Sequence, residues 1–298
     1  MSRERGPSPW LFALALPLGL GAGALLLWRA DGAERVHADQ FFDTARLARL
    51  EAPGPLRVVA LGSSMVSHAL VFDGELEAMG AAAGRPVRFV RFSRNGRSLD
   101  AVPALLARLA ERPPDLLVTE AEWLAWGEPA PSFRRALKYR RRRVFLALRV
   151  AVARLCGHAP DLGPGREDNR PGTPAQPEAP APFDPGRYRE LLDLLEPQDP
   201  RRLEPVLAGL ARLRARGCRV VVLAFGRSPG AAAMFPADQA RTFSGASARL
   251  AARGLPVADA ACPLPQDCYL DHAHLNRRGR ERFSAWFLTR LGAWSGRP

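Results

Sequence analysis

Val58-Val59-Ala60-Leu61-Gly62-Ser63-Ser64-Met65 is an apolar run that breaks into a Gly-Ser-Ser turn. Read with its surroundings, it predicts a buried strand over Leu56 to Leu61. A helix over Met65 to Met79 follows, with Leu70, Leu76 and Met79 apolar and Gly80 to Gly84 closing it. The alternation repeats outward from there. Pro86 to Phe92 is a second strand, and Leu99 to Leu109 is a helix with Val102, Leu105, Leu106 and Leu109 at i, i+3, i+4 and i+7. Asp115 to Thr119 is a third strand, bounded by Pro113-Pro114. After an interruption come an amphipathic helix (Arg201 to Arg216), a β-branched strand (Cys218 to Phe225) and a helix (Ala237 to Arg253). A fifth strand (Leu255 to Ala260) and a last helix (Arg277 to Leu291) complete the series. Five strands alternating with helices predict an α/β fold over residues 53–292, a three-layer α/β/α sandwich on a mostly parallel, flavodoxin-like sheet. Residues 293–298 are a tail. Right-handed crossovers bring the C-terminal ends of all five strands to one edge, where functional loops gather.

Two of the loops at that edge carry chemistry. Ser64 stands at a helix start, where unpaired N–H groups and the helix dipole favour developing negative charge. After strand five comes Leu270-Asp271-His272-Ala273-His274-Leu275-Asn276. A serine hydroxyl needs a general base to attack an acyl carbon. His274 supplies one, and Asp271 can orient its ring and stabilise the imidazolium. Each segment alone has a plainer reading. Gly-Ser-Ser can be a tight turn with an N-cap serine, with Ser63 and Ser67 as competing hydroxyls. Asp-x-x-His can be a cap plus a surface histidine, and His68 reads as a packing or surface residue. His272 and His274 form a His-x-His pair, but no accompanying cluster supports a metal, and no motif calls for a cofactor. The G-x-S-x-G elbow is missing because Val66 takes the place of its second glycine, and S-x-x-K is missing because Ser67 follows Ser64.

The net charge of +13 is almost all arginine, with Lys138 the only lysine. Without a helix-turn-helix, zinc-finger or aromatic-basic RNA pattern, this charge does not predict nucleic-acid binding. Residues 1–8 read as a short cytoplasmic N-terminus. Residues 9–28 are an uncharged apolar run ending in Trp28, with Trp10 near its start, long enough to cross most of a bilayer. A cleaved signal peptide is the alternative, but Trp28-Arg29-Ala30-Asp31 lacks the small-residue cleavage pattern. An anchor therefore predicts a single-pass protein with its body outside the cytoplasm and residues 29–52 as a juxtamembrane stalk and leading helix. Residues 131–186 interrupt the alternation. Residues 131–155 mix Arg140 to Arg143 with apolar side chains, either a basic helix lying on a membrane or a solvated helix packed on the domain. Gly157 to Gly186 is Pro-, Gly- and acid-rich and reads as poorly ordered. Cys262 and Cys268 flank the loop before Asp271; a disulfide and two packed thiols are both open.

The blocks together resemble the SGNH/GDSL hydrolases. Gly62-Ser63-Ser64 is similar to that family's first block, with Ser64 in the nucleophile position and Ser63 replacing the usual Asp. Ser93-Arg94-Asn95-Gly96-Arg97-Ser98-Leu99 resembles the second, in which a glycine N–H serves the oxyanion hole, here Gly96. Asp271 and His274 match the last. The third block departs: Val118-Thr119-Glu120-Ala121-Glu122-Trp123 has no asparagine where the family places an oxyanion donor. Asn95 or a protonated glutamate can fill the gap; a different substrate role and an inactive enzyme are the other outcomes. The resemblance implies catalysis by Ser64, His274 and Asp271, with Ser64, Gly96 and Asn95 around the oxyanion. The Gly-Ser-Ser variant and the anchor look most like the family's envelope-associated branch. That implies an esterase or O-acyltransferase on the periplasmic side of a bacterial inner membrane. Its substrate would be acylated glycan or a lipid-linked precursor, with a membrane-bound O-acyltransferase as partner. A non-catalytic polymer-binding or scaffolding protein is the alternative.

Overall fold

The computed structural model describes residues 42, 44–51, 54–93, 99, 101–127, 183–259 and 262–296. All of them fall in one unit drawn from Phe41–Pro129 and Arg166–Pro298. Residues 9–28, most of the predicted stalk, and all but the end of the 131–186 insertion lie outside the described residues, as do Asn95 and Gly96. Among the described residues, no helix is long and apolar enough to cross a membrane.

The main sheet contains β1 (Leu56–Gly62), β2 (Val87–Ser93), β3 (Leu116–Glu120), β6 (Arg219–Ala224) and β7 (Val257–Asp259). Their order is β2-β1-β3-β6-β7, and every neighbouring pair is parallel. This is the expected doubly wound α/β arrangement, with the chain reversing direction across the sheet between β1 and β3. Alternation along each strand builds the two cores. Val58, Ala60, Phe89, Leu116 and Val118 face α1 (Ser64–Ala69), α2 (Asp73–Ala82) and α9 (Arg277–Ser295), which contribute Val66, Leu76 and Phe287. Val59, Leu61, Val90, Phe92 and Leu117 face the other side. There α3 (Val102–Glu111), α6 (Pro200–Ala215) and α8 (Ala237–Ala252) supply Leu105, Leu210 and Leu250. A one-residue slip of β1 would swap these two sets, so packing on both faces fixes the register that positions Ser64.

Three features differ from the sequence expectation. The helix read over Met65 to Met79 is two helices, because Leu70 turns extended (φ −110°, ψ 141°). The break leaves backbone groups that the core satisfies. Val71 N–H donates to Ser284 Oγ at 3.0 Å, and the buried Arg91 of β2 donates through Nη1 to the carbonyls of Ser67 (2.9 Å) and Leu70. Second, the end of the predicted stalk belongs to the domain. Phe42 and Leu50 are buried, and Arg46 from the 3₁₀ turn Thr44–Leu50 pairs with Asp73 and donates to the Arg91 carbonyl at 2.9 Å. Third, short elements surround the insertion: α4 (Ala121–Ala125), β4 (Trp126–Gly127), α5 (Pro185–Asp193), β5 (Glu196–Pro197) and, farther on, α7 (Pro229–Ala233). β4 and β5 pair antiparallel, and buried Gln198 donates its N–H to Ala125 O at 2.9 Å and its side chain to Trp123 O at 3.2 Å. Each piece is too short for periodicity to reveal.

Candidate active site

Ser64 begins α1. Its neighbour Ser63 is the N-cap, accepting from Met65 N–H at 3.1 Å. Ser63 also donates its backbone N–H to Glu120 Oε2 at 2.8 Å, and its hydroxyl reaches both Glu120 oxygens at 2.7 and 2.8 Å. A Cβ on Gly62 would collide with Val66 and sit 2.8 Å from Glu120 Oε2, so this close approach requires glycine. The competing hydroxyls are thereby accounted for. Ser63 is spent on Glu120 and the helix cap, and Ser67 Oγ donates to the Ser64 carbonyl at 3.0 Å.

The acid and base lie on a loop that folds on itself. Asp271 Oδ1 accepts the N–H groups of Ala273 (2.9 Å) and His274 (2.8 Å), an Asx-type turn that presents the carboxylate to its own neighbour. Leu270 N–H donates to His274 O at 2.7 Å, and Tyr269 bridges Leu275. Asn276, 1% exposed, closes the loop. Its N–H donates to Cys268 O (3.0 Å), its side-chain amide donates to Asp267 O (2.6 Å), and its carbonyl oxygen caps α9 at Gly279 N (2.9 Å).

The two segments, far apart in sequence, meet at one hydrogen bond. His274 Nε2 lies 2.8 Å from Ser64 Oγ, and His274 Nδ1 lies 2.7 Å from Asp271 Oδ2. Asp271 Oδ1 is already occupied by two amides, so Oδ2 is left to accept the ring proton. That places the hydrogen on Nδ1 and leaves Nε2 to receive the serine proton. Burial alone would raise Asp271. The hydrogen bond and charge of His274, with the two loop amides, outweigh it and hold the carboxyl well below the usual carboxylate range. Asp271 is therefore ionised throughout the neutral range.

Of the other residues near these segments, His68 reads in the sequence only as packing or surface. The ring of His68 lies 4.6 Å from that of His274, tilted by 52°. It stands four residues after Ser64 on the same helix, a spacing that puts the two on one face and could have flagged it. His272 Nδ1 is 3.6 Å from Asp271 Oδ1, its ring lies 5.2 Å from Tyr188 of α5, and its carbonyl accepts Ser228 N–H at 2.9 Å. Glu120, 2% exposed, acts as a structural acceptor under the nucleophile turn. Glu122 is half-buried and accepts Phe225 N–H at 3.2 Å. Burial, then the Glu120 charge, push Glu122 up to about 8, against smaller opposing effects of Arg227 and two amides. Cys262 and Cys268 are free thiols, so in this structure the Asp-His loop is held by hydrogen bonds and packing. No group of His, Cys, Asp and Glu among the described residues is arranged to hold a metal ion.

A small apolar recess lies between α1, the loop that carries Asp271 and His274, and α9. It is lined by Met65 next to Ser64, by Ala273 and Leu275 on either side of His274, and by Phe225, Tyr269 and Phe283.

No protein-family model and no curated protein matches this sequence. Among solved structures, the chain is similar to a lipase/acylhydrolase from Enterococcus faecalis at 14% identity and a TM-score of 0.40, covering 81% of this chain and 96% of that one. It is similar to TesA at 14% identity and a TM-score of 0.37, covering 78% and 98%. It is also similar to AlinE4, an SGNH-hydrolase family esterase, at 14% identity and a TM-score of 0.35, covering 83% and 100%. At this identity and superposition, the likeness does not carry an activity to this chain, and the chemistry rests on the geometry of the Ser64 edge.

Proposed function

We propose that the protein is a serine hydrolase acting on carboxylic esters through an acyl-serine intermediate. The observation that carries this reading is the unbroken chain Ser64 Oγ–His274 Nε2 at 2.8 Å and His274 Nδ1–Asp271 Oδ2 at 2.7 Å. Ser64 Oγ attacks the ester carbon while its proton passes to His274 Nε2. Asp271 stabilises the imidazolium, which then protonates the leaving alkoxide. Water or a second hydroxyl takes the acyl group from Ser64 in the return half. The Ser64 N–H, at the start of α1, is a donor for the oxyanion, and Gly96 and Asn95 are proposed to add to it.

The finer reading is an anchored extracytoplasmic esterase or O-acyltransferase acting on O-acetyl groups of an envelope glycopolymer, beside a membrane-bound O-acyltransferase. The apolar span at 9–28 supports the anchor. The test is to incubate the full chain, in detergent, with p-nitrophenyl acetate and with an O-acetylated glycan. Acetyl on Ser64 and release or transfer from the glycan are expected. Acetyl on Ser64 from the activated ester alone would keep the hydrolase and remove the glycan. No acetyl-serine from either donor would leave the scaffolding alternative.

A further inference from the structure

The chain has five histidines, and the three among the described residues, His68, His272 and His274, lie side by side. The His272 ring centre is 6.0 Å from that of His274, and its Nδ1 lies 3.6 Å from Asp271 Oδ1. His68 is closer to the base, with ring centres 4.6 Å apart and planes tilted by 52°. At that spacing the two rings are in contact. The backbone that carries His68 is braced. His68 follows Ser64 by one turn of α1, which places both side chains on one side of the helix. Buried Arg91 donates to the carbonyls that flank His68, those of Ser67 (2.9 Å) and Leu70. Ser67 Oγ donates in turn to the Ser64 carbonyl at 3.0 Å. One rigid turn thus presents both the nucleophile and the ring beside the base.

The value of that contact changes during the reaction. Before attack, His274 is tied at both nitrogens, to Ser64 Oγ at 2.8 Å and to Asp271 Oδ2 at 2.7 Å. Once Ser64 carries the acyl group, its Oγ is an ester oxygen with no proton to share, and the tie at Nε2 is lost. The same ring must then take a proton from water or an acceptor hydroxyl. We propose that His68 is a positioning residue for this second half of the reaction: its ring keeps the His274 imidazole on aim while Ser64 is acylated. The inference rests on the nucleophile reading above. In the step concerned, the incoming oxygen bonds to the acyl carbon, the carbonyl π pair moves onto its oxygen, and the incoming proton passes to His274 Nε2. Collapse restores the carbonyl, breaks the Ser64 Oγ–carbon bond and returns the Nε2 proton to Ser64 Oγ. His68 exchanges no proton. It blocks one direction in which an imidazole tied at a single nitrogen can swing.

The experiment separates the two halves, using the full chain in detergent with p-nitrophenyl acetate. The burst of p-nitrophenolate gives the acylation rate, and the decay of acetyl-Ser64 by intact mass gives the deacylation rate. His68→Ala should acylate near the wild-type rate but deacylate about three- to tenfold more slowly, the worth of one aromatic contact. His68→Phe keeps a ring and should deacylate like wild type. His68→Gln keeps polarity without a ring and should behave like His68→Ala. Equal slowing of both steps in His68→Ala, or no slowing of deacylation, overturns the proposal, as does rescue by Gln and not by Phe. If His68→Ala does not fold, the Phe and Gln variants decide on the same terms. A folded wild-type chain that never gains acetyl on Ser64 overturns the nucleophile reading, and this one with it.

Discussion

The nucleophile turn and the acid–base loop reach the same site by opposite means. Ser64 is held from afar: the carboxylate under its turn, Glu120, is 57 residues away on a neighbouring strand. Behind α1, Arg91 on β2 takes the carbonyls at its C-terminal end. The Asp271–His274 loop is held mainly from within, by bonds among residues 267–279, with the Ser228 N–H to the His272 carbonyl as a tie from outside. A local device survives changes elsewhere in the fold. A long-range one transmits them. The nucleophile side should therefore be the fragile half of this site.

Removing groups that react should cost the most. Ser64→Ala and His274→Ala should each abolish acyl-serine formation, read by trapping with an activated ester. Asp271→Asn keeps the loop's shape but disfavours the Nδ1–H tautomer, and should lower kcat by about 10³–10⁴. Because Asp271 stays ionised far into acid, protonation of this carboxylate should not set the low-pH limb of kcat.

The next effects separate the two halves. Glu120→Ala strands the buried Ser63 N–H and hydroxyl, at about 1–3 kcal/mol for each unsatisfied group. It should lower Tm and also cut kcat in the fraction that remains folded. Asn276→Ala removes a helix cap and a loop tie. It should cost about 1–3 kcal/mol, with kcat per folded molecule falling less than in Glu120→Ala. Equal loss of kcat in the two variants would erase the contrast. The smallest effect is a slope. Glu122 binds its proton in the folded state up to about 8 but in the unfolded chain only to about 4.5. Stability should therefore fall as pH rises between these values, and Glu122→Gln should flatten that slope in denaturant titrations.

The same contrast sets what the sequence could reveal. The alternation of strands and helices was legible because β-branched runs and helical periodicity are local. So was Asp-x-x-His, whose hydrogen bonds lie within one turn. The role of Glu120 was not, since nothing near Ser63 in sequence names its acceptor, and the third block draws attention only to the oxyanion donor it lacks. The split of the helix after Ala69 was hidden for the same reason. It depends on Ser284 and Arg91, which are distant in sequence and adjacent only in the fold.

The most direct test of the Ser64–His274–Asp271 assignment is fluorophosphonate labelling of the full chain, mapped by peptide mass spectrometry, with Ser64→Ala and His274→Ala alongside. A single adduct on Ser64, lost in both variants, is the predicted result. No adduct on a folded protein, or an adduct that persists when His274 is replaced, would contradict it.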